Sequence, residues 1–90
     1  MQLTHQEGVL SVQGMVTLST FTSQYQQALL KACQQGVSVV DLSAVTHADS
    51  ACVAVLLLLK RQLPQGSWQL RQVPETVKAL VGLYELEWLL

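Results

Sequence analysis

An uninterrupted apolar run from Ala51 to Leu59 limits most strongly how this chain can fold. The run is far shorter than the roughly 18 to 20 residues that a transmembrane helix needs, so it predicts a helix inside a folded domain and no membrane insertion. A helix without a polar side must be covered on every side. We therefore predict a helix from Ser50 to Leu63 that packs on a sheet and needs a second cover for its outward face.

Strand and helix patterns precede this run. Two short strands, Gln2 to Gln6 and Val9 to Gln13, are predicted on either side of the Glu7-Gly8 turn, because apolar and polar residues alternate there. Apolar residues then recur at steps of three and four, which predicts an amphipathic first helix ending before Gly36. Its stripe consists of Leu18, Phe21, Tyr25, Leu29 and Ala32.

Two more strands and a third helix are predicted around the apolar run. Val37 to Leu42 is rich in β-branched residues, which favours a central strand, and Ser43 to Asp49 reads as a polar connection. A further strand is predicted around Trp68 and Leu70, and the last helix after Pro74. The order predicts a single α/β domain over residues 1–90, with a mixed four- to five-stranded sheet and three helices.

Composition excludes several classes of function. Half of the residues are apolar, 12% are charged and the net charge is -1, with the basic residues scattered, so no stripe for nucleic acid exists. A secretory signal pattern is lacking, which favours a cytoplasmic protein with Cys33 and Cys52 as reduced packing residues. Trp68 and Trp88 are expected in the core, because no basic residues surround them as in base-stacking sites.

The residues between the central strand and the apolar helix carry the clearest motif, Asp41-Leu42-Ser43 followed by Asp49-Ser50-Ala51. Asp49 and Ser50 are residue types that accept hydrogen bonds from the free amides of a first helical turn, worth about 1 kcal/mol for a good cap. Capping and direct contact with a partner are compatible roles for Asp49. Both interpretations stay open.

This motif resembles that of the STAS family, which recurs in sulfate transporters and anti-sigma-factor antagonists. The resemblance extends downstream through Val77-Lys78 and Leu83-Tyr84-Glu85-Leu86, and is strongest to the Mla-type members. It implies a protein-binding domain without a cofactor, peripheral to the inner membrane through the ATPase subunit of an ABC phospholipid transporter. The chain departs from the family where Cys52 replaces a glycine and Met15 replaces an acidic residue.

In antagonist members, the hydroxyl that matches Ser50 is phosphorylated by a kinase, so the resemblance leaves a second hypothesis open, a free-standing antagonist switched at Ser50. Cys52 would crowd that kinase, which favours docking on an ATPase subunit. The residues predicted to contact the partner lie at the amino end and on the outward face of the apolar helix. They are His47, Asp49, Ser50, Ala51, Val53, Ala54 and Leu57.

The docking prediction rests on exposed apolar area, since each Val or Leu side chain that a partner buries fully contributes about 1.5 to 3 kcal/mol. Alternatives are a third helix that covers the second, or a homodimer of the isolated chain that hides it. Catalysis is not expected, because His47, Asp49, Ser50 and Cys52 crowd one turn without a glycine-rich cradle. Neither His5 nor His47 has the partners of a metal site.

Overall fold

The computed structural model describes all residues from 1 to 90 and contains a five-stranded sheet, three α-helices and a short 3-10 helix. The strands are β1 (Gln2–Gln6), β2 (Val9–Val16), β3 (Val39–Asp41), β4 (Val45–Ala48) and β5 (Gln69–Arg71). The helices are α1 (Ser23–Gln35), α2 (Ser50–Gln62) and α3 (Glu75–Leu83), followed by the 3-10 helix Glu87–Leu89. The predicted fold class is confirmed.

Strand β2 organises the sheet because it pairs with three other strands. It forms the predicted antiparallel hairpin with β1, runs parallel to β3 over Val9–Ser11, and then runs parallel to β4 over Gly14–Val16. β5 pairs in parallel with β3. The register with β4 shifts between Gly14 and Met15, and Gly14 has a φ of 80°, a conformation that glycine adopts without steric cost. The Gly14 amide donates to the Ala44 carbonyl at 2.9 Å.

The segment predicted as a polar connection, Ser43 to Asp49, contains β4, so that prediction was wrong in part. Its composition conceals the strand, because Thr46 and His47 are exposed while Val45 and Ala48 are only half-buried. What makes it a strand is pairing with the end of β2, a long-range interaction that local polarity does not reveal. β4 ends at Ala48, so Asp49 directly precedes the first turn of α2.

The start of α1 differs from the prediction as well. The helix begins at Ser23, so Leu18 and Phe21 lie in the preceding loop, and Leu18 is 75% exposed. A hydroxyl stabilises this loop: Thr20 Oγ1 accepts from the Thr17 amide at 2.9 Å and donates to the Met15 carbonyl at 2.8 Å. Threonine side chains compete in this way with the backbone bonds of a helix.

Helix α2 lies at the centre of the core. Its buried residues are Ala51, Cys52, Val53, Val55, Leu56 and Leu59. The expectation of an uncovered outward face was wrong in large part, because α3 and the 3-10 helix pack against α2 and bury Val77, Val81 and Leu89 in the same cluster, while Ala54 stays exposed and Leu57 half-buried. The alternative of a third helix that covers the second is therefore the observed one. A second copy of the chain is not needed to cover α2.

Large apolar side chains remain exposed in two groups, neither of them on α2. One group is Met15 and Leu18, beside the start of α2, and the other is Leu83, Tyr84, Trp88 and Leu90, at the end of α3 and beyond. Trp88 is 58% exposed, so its predicted core position was wrong, whereas Trp68 is half-buried and packs against the core. The large exposed apolar side chains thus lie off α2, in the loop and strand beside its start and on the segment from Leu83 to Leu90.

We expect Leu59→Ala to lower the free energy of unfolding by about 2 to 5 kcal/mol, because Leu59 is fully buried and its truncation leaves a cavity. The matched control is Leu83→Ala, which truncates the same side chain type where it is 73% exposed and should cost about 0.5 kcal/mol or less. Urea denaturation measures both. Equal losses for the two variants would contradict the described core.

Candidate protein-docking site

The carboxylate of Asp49 joins two parts of the chain at the start of α2. Its Oδ1 atom accepts from the Ala51 amide at 2.8 Å, which caps the helix, and its Oδ2 atom accepts from the Leu18 amide at 3.1 Å. The Asp49 amide in turn donates to the Val16 carbonyl at 3.3 Å. One side chain therefore satisfies a free amide of the first turn and holds the loop after β2 against the helix.

Four side chains form a surface around this cap, here called the α2 N-terminal surface: Met15, Leu18, His47 and Ser50. Met15 and His47 are neighbours in register on β2 and β4, and both are exposed. Ser50 is the first residue of α2, and its hydroxyl makes no hydrogen bond within the chain. Apolar side chains and a free hydroxyl thus meet at one edge of the fold.

The structure brings together only part of the predicted set. His47, Asp49 and Ser50 meet at this edge. Ala51 and Val53 are only 1% and 4% exposed, so they are too buried to contact a partner. Ala54 is exposed and Leu57 is half-buried, both farther along the helix.

Sequence reasoning missed Met15 and Leu18 as surface residues. The signal that could have separated Leu18 from the helical stripe is the cluster of hydroxyl residues from Thr17 to Thr22, which favours turns over helix. Met15 stood out only as a departure from the family pattern.

The site lacks the geometry of a nucleophilic centre. The Cys52 thiol is fully buried, and burial, with a smaller effect of the Asp49 carboxylate, raises its pKa to about 11, so the reactive thiolate is scarce at neutral pH. The His47 ring makes a single hydrogen bond, between Nδ1 and Thr46 Oγ1 at 3.3 Å. Asp49 is occupied by two backbone amides. No base is therefore in contact with a nucleophile. Clusters of three or more side chains suited to a metal ion are also absent.

The first half of the motif, Asp41-Leu42-Ser43, determines the local backbone conformation between β3 and β4. Asp41 Oδ1 accepts from the Ser43 amide at 2.8 Å, and this bond, more than the side-chain bond with Ser43 or the charge of Arg71, holds the pKa of Asp41 below its usual value. Leu42 between them is fully buried. Asp41-Leu42-Ser43 is thus a turn that ends β3 and leads into β4, and it lies outside the α2 N-terminal surface.

Comparison with known families agrees with this arrangement of motif and sheet. The family model described as "Mlab, STAS domain" matches residues 1–90. The chain belongs to the STAS domain family. The match is to the MlaB-type model, which confirms the predicted relationship over the whole chain. None of the helices in this STAS domain has the length and apolarity that a membrane crossing requires.

A solved structure shares the fold. The unphosphorylated form of the anti-sigma factor antagonist SpoIIAA superposes with a TM-score of 0.63 at 20% sequence identity, covering 94% of this chain and 80% of that one. At this identity the likeness supports the fold of the STAS domain and nothing finer. No curated protein sequence gives a significant match.

We expect Asp49→Ala to destabilise the domain by about 1 kcal/mol through loss of the cap, and to speed hydrogen exchange at the Leu18 amide, which loses its acceptor. Ser50→Ala is the control, because the Ser50 hydroxyl has no partner in the chain. NMR-detected exchange measures both variants. An unchanged Leu18 exchange rate in Asp49→Ala would contradict the bridging role of Asp49.

Thiol labelling tests the assignment of Cys52 to the core. In the native domain, a thiol reagent should modify Cys33, which is half-buried, much faster than Cys52, which should react only when denaturant opens the fold. The variant Cys33→Ser isolates the Cys52 signal. Rapid modification of Cys52 in the native state at neutral pH would show an accessible thiolate and contradict the assignment.

Proposed function

We propose that this chain is a non-catalytic accessory subunit that docks on the ATPase subunit of an ABC-type phospholipid transporter and supports its assembly or activity. The α2 N-terminal surface, together with Asp49 and the neighbouring Ala54 and Leu57, is the proposed contact. In this role the chain binds no cofactor, resides in the cytoplasm, and reaches the inner membrane through its partner. The MlaB-type family match supports this partner class.

The observation that carries the proposal is the exposure of Leu18, which is 75% exposed although Asp49 fixes its backbone. Because the backbone of this loop is already held in the free protein, binding costs less ordering of the loop, and burial of the Leu18 side chain by a partner contributes to affinity. Exposed Met15 beside it, with His47 and Ser50 as polar neighbours, matches the arrangement of an apolar centre and a polar rim in protein interfaces.

The second candidate function is a free-standing antagonist controlled by phosphorylation of Ser50. The free hydroxyl of Ser50 supports it, and so does the position of Cys52, which is fully buried and leaves the approach to Ser50 clear. A phosphate would add roughly 1.5 to 2 negative charges next to Asp49 and would repel an acidic partner. Cys52 therefore presents no surface in the folded domain that would crowd a kinase at Ser50.

We expect Ser50→Arg and Leu18→Asp to weaken binding to the co-expressed cognate ATPase subunit by at least about tenfold, because each places a charge in an apolar contact. Gln24→Arg and Gln24→Asp on α1 are matched controls at an exposed site and should bind normally. Co-purification and ATPase activity are the readouts. Normal complex formation by both surface variants would contradict the proposed contact.

Intact-mass analysis of the protein from cells separates the two functions. The docking role predicts a single unmodified species across growth conditions. A phosphorylated species that Ser50→Ala abolishes, together with failure to bind the ATPase subunit, would replace the docking role with the antagonist role.

A further inference from the structure

The second exposed apolar group lies on the segment from Leu83 to Leu90, at the end of α3 and through the 3-10 helix. Leu83 is 73% exposed, Tyr84 48%, Trp88 58% and Leu90 53%. This segment, here called the C-terminal patch, is firmly fixed: the Leu86 amide donates to the Val81 carbonyl at 2.8 Å, and Leu89 is buried in the core. Its exposed side chains therefore stand on a backbone that is anchored to α3 and to the core.

A groove of about 350 Å³ opens beside the C-terminal patch, and Leu90 lies in both. Its lining is mixed: Trp68, Leu70, Leu89 and Leu90 are apolar, and the other lining residues are Gly66, Gln69 and Lys60, the last of these near the end of α2. The groove therefore adjoins the C-terminal patch through Leu90, and Lys60 places the groove near the carboxyl end of α2. The α2 N-terminal surface lies at the other end of this helix, about 20 Å away by helix rise.

The charges on this surface indicate what covers it. Glu85 and Glu87 are exposed among the aromatic and leucine side chains, and no basic residue occurs from Ala79 to Leu90. Lys60 in the groove is the nearby cation and can donate to the carbonyls of a bound segment. Acidic side chains repel an anionic membrane surface, and aromatic anchors with a charged rim are typical of protein contacts.

We propose that the C-terminal patch and its groove form a second docking surface, for a basic apolar segment of a partner polypeptide. The segment places apolar side chains against Trp88, Tyr84 and Leu83, and its Lys or Arg side chains pair with Glu85 and Glu87. This surface is independent of the α2 N-terminal surface, so the domain can hold two polypeptide elements at once. The proposal stands whether or not the first partner is an ATPase subunit.

NMR titration of the full isotope-labelled chain tests the proposal with two short synthetic peptides, one of leucine and lysine and one of leucine and glutamate at the same positions. The lysine peptide should shift the Trp88 indole signal and the amides of residues 83–90, more weakly as salt rises. The glutamate peptide should leave the Trp88 indole signal and these amides unshifted. Trp88→Ala should weaken lysine-peptide binding at least about tenfold.

Two charge variants separate local pairing from net charge. Glu85→Gln with Glu87→Gln removes two negative charges at the patch, and Gln24→Lys with Gln27→Lys makes the same change in net charge on α1. Only the variant that removes the two glutamates at the patch should weaken binding of the lysine peptide. Three results overturn the proposal: equal binding of both peptides, a concentration-dependent dimer that Trp88→Asp dissolves, or binding of Trp88 to phosphatidylglycerol vesicles in preference to the lysine peptide.

Discussion

The packing of α2 between the sheet and α3 is the constraint on which the rest of the structure depends. A helix whose run from Ala51 to Leu59 is wholly apolar needs cover on most of its sides, and the fold supplies it with Val77, Val81 and Leu89 on elements that follow it in the chain. With most of α2 covered, the large apolar side chains that stay exposed lie beside its start, at Met15 and Leu18, and on the segment from Leu83 to Leu90. Docking is therefore expected at these two groups.

Asp49 joins the start of α2 to the loop after β2. Its two oxygens accept from the Ala51 and Leu18 amides, so the bonds that cap α2 also fix the loop that exposes Leu18. A single carboxylate therefore caps the helix and, in the proposed contact, also positions the loop that carries Leu18. Its two oxygens serve two amides, whereas a serine hydroxyl has only one oxygen.

The sequence predicts the parts of this fold that depend on local pattern. The β1–β2 hairpin, the three helices, and the cap at Asp49 follow from periodicity and residue type. β4 could not be predicted in this way, because it depends on pairing with the far end of β2. Leu18 shares helical spacing with Phe21 but precedes the helix, so periodicity alone misplaces it, and only the hydroxyl residues around it indicate a turn. The segment that covers α2 could not be predicted for the same reason. The hydrophobicity of α2 shows that a cover is needed, and only tertiary packing shows which segment supplies it.

Site-specific photocrosslinking in the complex with the ATPase subunit tests most directly whether the domain docks through the start of α2. A photoreactive amino acid would replace Leu18 or, at a comparably exposed position on α1, Gln24. The account predicts adducts with the ATPase subunit from position 18 and none from position 24. Adducts from position 24 without any from position 18 would contradict it.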